Sequence, residues 1–218
     1  VALSRRRARE AGVGDRVRFV QGDLFHTDLG PASVLVLYLN TPFNMRLRPR
    51  ILEQMKPGSR VVSHVFDMGR WRADTVTRRI EFGAFLYLWT VPADVEGRWR
   101  ITLEGGDETV VELDQRFAEL CVVGGTGWSG QSPATRRGSV EGGSVLFPVA
   151  GLEGRRVALP VRGTVEGDRM TGWTSEGVSW TGIRVADPGG SLERWEPSDD
   201  SAGRSVCEVP GEDGPEDP

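Results

Sequence analysis

The sequence predicts an α/β segment followed by an all-β region and an acidic, unstructured tail. Three observations carry that prediction. Helix-type and strand-type patterns alternate up to residue 72. From residue 80, short runs rich in Val, Trp, Phe and Thr recur, punctuated by Gly. From residue 187 the chain is rich in Pro, Gly, Ser and acid, with little to bury.

A helix is expected over 2–11, then a strand over 16–20 that ends in Gly22-Asp23-Leu24. A second strand follows over 33–39, a helix over 46–55, Pro57-Gly58 as its stop, and a third strand over 60–66. Val34-Leu35-Val36-Leu37, and Val61-Val62 with Val65-Phe66, are runs of apolar residues and do not alternate. Parallel strands covered on both faces read that way. Leu47, Ile51, Leu52 and Met55 make one apolar stripe on the intervening helix. Strand, helix and strand at this spacing form a βαβ unit.

Residues 73–79 read as a polar crossover. Strands are then expected at 82–91, 99–103, 109–123, 144–149, 156–161, 169–173 and 178–185, with turns such as Gly106-Asp107 and Gly167-Asp168. Repeated short strands with turn signals predict an antiparallel barrel or sandwich. Trp99, Ile101 and Leu103 alternate with Arg100, Thr102 and Glu104, so that strand has one wet face. Residues 126–143 read as a Gly/Ser/Arg loop. The expected organisation is 1–72 (partial α/β domain), 80–186 (β-rich domain) and 187–218 (disordered acidic tail).

The formal net charge of −4 over 218 residues gives no support to nucleic-acid binding. Cys121 and Cys207 lie far apart, which is no disulfide framework and points to a reducing cytoplasm. No apolar run approaches the roughly 20 residues that span a bilayer. No Cys/His cluster has metal spacing, so no metal site is expected. Gly125-Thr126-Gly127-Trp128-Ser129-Gly130 matches a dinucleotide fingerprint, but Pro133 and Gly138 deny it the helix that binds pyrophosphate. Arg5-Arg6-Arg7 reads as a solvated helix face. Trp89, Trp99, Trp173 and Trp180 read as core.

Three stretches bear a family resemblance: residues 16–24 (RVRFVQGDL), 36–40 (VLYLN) and 52–62 (LEQMKPGSRVV). They resemble class I S-adenosylmethionine-dependent methyltransferases. A narrower similarity, to a bacterial subgroup with a strand-rich C-terminal part, rests on Asn44-Met45-Arg46-Leu47-Arg48-Pro49 and Ser63-His64-Val65-Phe66-Asp67-Met68-Gly69. The resemblance implies that residues 1–72 are the C-terminal half of a Rossmann-like methyltransferase sheet, with S-adenosyl-L-methionine as cofactor. The family's first strand, its Gly-x-Gly loop and the acidic residue after its second strand have no counterpart here. Weak donor binding by these 218 residues alone is therefore expected.

In open α/β sheets ligands sit beyond the carboxyl ends of the strands. The resemblance therefore makes Gly22, Asp23, Leu24, Leu39 and Asn40 the expected cofactor residues. Asp23 either accepts from the adenine amino group, with Leu24 walling the ring, or caps a turn. Asn40-Thr41-Pro42-Phe43 invites comparison with the Asn-Pro-Pro-Tyr/Phe motif of amino-group methyltransferases, though Thr41 replaces the first Pro. A plain strand-to-helix turn is the other reading. His64 and Asn44 are the catalytic candidates. His64 is either a base for an ammonium nucleophile or a structural histidine. Asn44 is either a ligand to substrate or a helix cap. The leading expectation is methyl transfer to a small-molecule or protein acceptor, incomplete in this stretch. The alternative is a binding module centred on the β-rich region, holding a ligand in a barrel cavity or on its open face.

Overall fold

The computed structural model describes residues 1–79, 84–128, 136–151, 158–186 and 207. The predicted tail, apart from Cys207, and residues 129–135 of the predicted 126–143 loop lie outside the described residues, while 137–141 of that expected loop form a strand that pairs with its neighbours. The described residues are mostly β: a four-stranded mixed sheet and an eight-stranded closed barrel, with two α-helices.

Helix α1 (Ala2–Glu10) stands where the sequence places it, with Arg7 and Arg9 in its last turn favouring the negative end of the helix dipole. The predicted strand at 16–20 does not form. Its residues suit a strand, but a strand exists only through a ladder, and no described strand pairs with it. Strand β1 (Val34–Leu37) and strand β2 (Arg60–His64) pair in parallel, Val34 opposite Arg60 and Leu37 opposite Ser63. Between them runs α2 (Thr41–Gln54), which completes the predicted βαβ unit. It starts earlier than expected. Asn40 is its N-cap, Pro42 fits the first turn where an N–H has no helical partner, and Pro49 lies inside. Gly58, at φ +84, follows its end.

Strand β3 (Thr75–Arg79) occupies the expected crossover, and β4 (Ala84–Thr90) was expected to open the β-rich region. Both join the first sheet, in the order β1-β2-β4-β3. Strand β4 runs antiparallel to β2, with Arg60 opposite Thr90, and β3 runs antiparallel to β4. Helix α2 covers one face: Leu47, Ile51 and Met55 pack with Leu37, Val61, Met68, Trp71, Trp89 and Val91. The expectation of two covered faces fails at β1, where Val36 is 71% exposed, and Tyr38 just beyond is 82% exposed.

The barrel contains β5 (Gly97–Leu103), β6 (Glu108–Arg116), β7 (Glu119–Gly125), β8 (Arg137–Glu141), β9 (Ser144–Val149), β10 (Leu159–Glu166), β11 (Arg169–Thr174) and β12 (Ser179–Ala186). Each strand pairs antiparallel with its sequence neighbours, and β12 closes on β5. Trp99, Ile101, Leu113, Phe147, Val161, Met170 and Trp180 fill the interior. A ligand inside the barrel would have to displace them. The Trp180 indole needs room over the wall: a Cβ on Gly163 would lie 2.7 Å from its ring, and one on Gly172 would lie 1.9 Å from the Arg162 carbonyl oxygen. Trp89 belongs to the first sheet's core, while Trp173 is 64% exposed and is not core. It points outward because the pleat alternates it with the buried Gly172 and Thr174.

The cysteine expectation is also corrected. Cys121 on β7 and Cys207 form a disulfide across 86 positions. Sequence separation says nothing about distance in space, and both side chains are buried. The bond removes the cysteine argument for a reducing compartment. No helix among the described residues is long and apolar enough to cross a membrane. Protein purified without reductant should yield the Cys121 and Cys207 peptides cross-linked in a non-reducing map. Cys207→Ser should cost about 2–4 kcal/mol of stability. Two alkylatable thiols in the native protein would contradict the bond.

Candidate functional site

Two strand ends and the start of α2 meet at the carboxyl edge of the parallel pair β1–β2. Tyr38 and Leu39 follow β1, and His64 ends β2. The Tyr38 and His64 rings lie 4.9 Å apart between centroids. Tyr38 is the residue that sequence reasoning passed over. Its position between Leu37 and Leu39 hid it in an apolar run, yet it is the most exposed aromatic at this edge.

Asp23 precedes a 3-10 turn (Leu24–His26) and caps it. One carboxylate oxygen accepts from the Phe25 N–H at 2.8 Å, and the other lies 2.9 Å from His26 Nδ1. The Phe25 backbone hydrogen bond, with His26 next, holds the Asp23 carboxyl below the ordinary carboxylate value. The turn is fastened to α2. Phe25 stacks on Phe43 at 5.8 Å, and the Arg46 guanidinium lies over the Phe25 ring at 3.9 Å. Arg50 donates to the carbonyls of Leu24 and Thr27. Leu24 and Leu39 pack against the core beneath. A Cβ on Gly22 would meet nothing within 4 Å, so open space flanks Asp23.

Asn40 is committed as a cap: its Oδ1 accepts from the Phe43 N–H at 3.1 Å. That favours the strand-to-helix turn over the amino-group motif. Asn44 is no cap. It lies in the second turn of α2, fully buried. Its Nδ2 donates to Ser63 Oγ at 3.1 Å and to the carbonyls of Phe66 at 3.1 Å and Asp67 at 3.2 Å. One turn on, Arg48 is also fully buried and donates to the Met68 carbonyl at 3.0 Å. The segment held this way begins with Val65 at φ +72, a left-handed conformation that a β-branched residue resists.

The expected residues therefore sort into two groups flanking the start of α2: Gly22, Asp23 and Leu24 on one side, Leu39 and His64 at the strand ends. A separate groove of ≈ 230 Å³, lined by Arg5, Ala8, Arg9, Gly14, Val17, Arg18 and Phe19, holds none of them. Among the described residues there is no cluster of His, Cys, Asp or Glu able to hold a metal.

The family comparison falls on this same stretch: the ANTKMT methyltransferase domain matches residues 1–75. Residues 1–75 are thus similar to a methyltransferase domain. A protein-lysine N-methyltransferase of Saccharolobus islandicus (strain REY15A) is 35% identical over 85 residues, covering 36% of this chain and 53% of the relative. The chain thus spans about half the length of that curated relative. An RNA methyltransferase from Salinibacter ruber, solved in complex with S-adenosyl-L-homocysteine, shows 49% identity, covers 42% of this chain and 58% of its own, and superposes with a TM-score of 0.40. The methyltransferase segment contains all seven candidate site residues.

The Asp23 shift has a sign. A carboxyl held below its unfolded value, near 3.9, contributes stability above that value and loses it as pH falls through the folded pKa. A ¹³C titration should show Asp23 protonating below an ordinary aspartate, and removing the His26 ring should raise its midpoint. An unshifted midpoint would contradict the capping geometry.

Proposed function

We propose that the methyltransferase segment acts in S-adenosylmethionine-dependent methyl transfer to the side-chain nitrogen of a protein lysine. The match of residues 1–75 to a methyltransferase domain carries this reading. The lysine acceptor draws its support from the name of the Saccharolobus relative. The sheet edge supports it with a surface carboxylate, open space at Gly22, and an aromatic-lined strand end.

The residues fit an adenosyl donor. Asp23 is exposed, and each of its oxygens keeps a lone pair beyond the contacts to Phe25 and His26, enough to accept from an adenine amino group. Leu24 offers an apolar wall, and Leu39 and Asn40 would border the donor from the end of β1. In this reading, β1–β4 with α2 are the C-terminal half of a Rossmann-like sheet. Bound S-adenosylmethionine supplies a methyl group already activated on a sulfonium. The chain's task is then to position the nucleophile and to manage one proton. A lysine ammonium has no lone pair until it loses a proton, and His64 at the end of β2 is the base proposed to take it. Asn44 is buried away from any acceptor, so its proposed role is positioning: it holds the segment that follows His64.

The test is calorimetry with S-adenosylhomocysteine on the natively expressed protein, followed by labelled donor and mass spectrometry of modified proteins. Asp23→Asn should weaken binding about tenfold, the loss of roughly one charge-assisted hydrogen bond. His64→Ala should spare binding and slow transfer about 10²-fold. Binding indifferent to Asp23, or label found on RNA and not on lysine, would contradict the proposal.

A further inference from the structure

The β-rich region has no role in the chemistry proposed above, yet one of its side chains sits in the other core. Phe117, in the turn between β6 and β7, is buried among the residues of the first sheet. Its ring stacks on Trp71 at 6.0 Å with 13° between planes, and the Arg48 guanidinium lies 5.0 Å from its centroid. Phe117 adopts φ +55, rare for a residue with a side chain. A buried glutamine holds it there. Gln115 Nε2 donates to the Phe117 carbonyl at 2.8 Å and to the Ala93 carbonyl at 2.9 Å, and its Oε1 accepts from the Val95 N–H at 2.8 Å. The barrel therefore presents this ring in one fixed place.

Arg48 is the residue that connects this ring to the site. On one side it meets the Phe117 face, and on the other it donates to the Met68 carbonyl. Asn44, one turn away on the same helix, holds the carbonyls of Phe66 and Asp67. Val65 completes the segment, its N–H on the Phe85 carbonyl at 2.7 Å. Left-handed backbone at a β-branched residue persists only where its surroundings over-determine it. An aromatic face over a dry guanidinium fixes the cation's position as well as attracting it.

We propose that Phe117 is a positioning residue for methyl transfer: through Arg48, the barrel sets the segment 64–69 that presents His64. The role in transfer rests on the function proposed above; the mechanical link does not. It follows that the barrel is needed to shape the active edge.

The experiment compares wild type, Phe117→Ala and Phe117→Leu in the intact protein by hydrogen exchange, read peptide by peptide, alongside kcat and KM. Leucine keeps most of the apolar volume and removes the aromatic face, so Phe117→Leu remains informative if the alanine variant does not fold. Amides in 63–70 should lose protection at least tenfold in Phe117→Leu, with exchange in β9–β11 unchanged. The turnover number should fall about tenfold with the donor KM unmoved, and Phe117→Tyr should restore both. Unchanged exchange at 63–70 in a folded Phe117→Leu overturns the proposal. Deprotection of 63–70 in a protein whose wild type transfers no methyl group would overturn the catalytic role and leave the link between barrel and segment standing.

Discussion

Two buried polar side chains on one helix hold the backbone on which the site depends. Asn44 and Arg48 on α2 are both inaccessible to solvent, and both donate to carbonyls of the segment following β2. A buried carbonyl without a donor is costly, on the order of 1–3 kcal/mol; the Met68 bond is buried and those to Phe66 and Asp67 are part-buried. The side chains repay that cost only in one arrangement of Phe66, Asp67 and Met68. Val65, at φ +72, stands between that segment and His64 at the end of β2. Among the described residues the Asn44 Oδ1 has no hydrogen-bond partner, so this residue acts there through donation.

The sheet and the barrel are joined around this clamp. Strand β4 leads from the sheet towards β5, the first barrel strand, with the Gly58 N–H on the Val91 carbonyl and the Ala93 N–H on the Gly142 carbonyl. Phe117 then returns from the barrel to the first core. The opposite face of the sheet is different. Val34 and Val36 on β1 and Tyr38 just beyond it stay exposed, as do Val17 and Val20 in the unpaired stretch before it. That face lies next to the edge where Tyr38 and His64 meet.

Local patterns made much of this legible. The apolar runs at 34–37 and within 60–66 announced parallel strands, and spacing in Leu47, Ile51 and Met55 announced the helix between them. Alternation at Trp99, Ile101 and Leu103 announced the barrel wall. What failed was whatever depends on partners distant in sequence. Val17 and Phe19 have strand character without a neighbour to pair with. Thr75–Arg79 looks polar because it is an edge strand, and its sheet membership comes from β4. The helix reads from residue 46 because Pro42, its first-turn proline, reads as part of a turn. Cys121 and Cys207 gave no sign of adjacency. Asn44 was singled out through a resemblance, but its burial arises from the segment folded over it, and no helical pattern encodes that.

The account stands or falls on the clamp, and the most direct measurement is the stability of Asn44→Leu. Leucine matches the volume and removes the donor, leaving the part-buried Phe66 and Asp67 carbonyls without it. Denaturant unfolding should show a loss of about 2–4 kcal/mol. The crystal structure of the variant should show Val65 relaxed to negative φ and His64 displaced from Tyr38. A variant within about 0.5 kcal/mol of wild type, the scale of an inconsequential surface change, with Val65 still left-handed, would contradict the account.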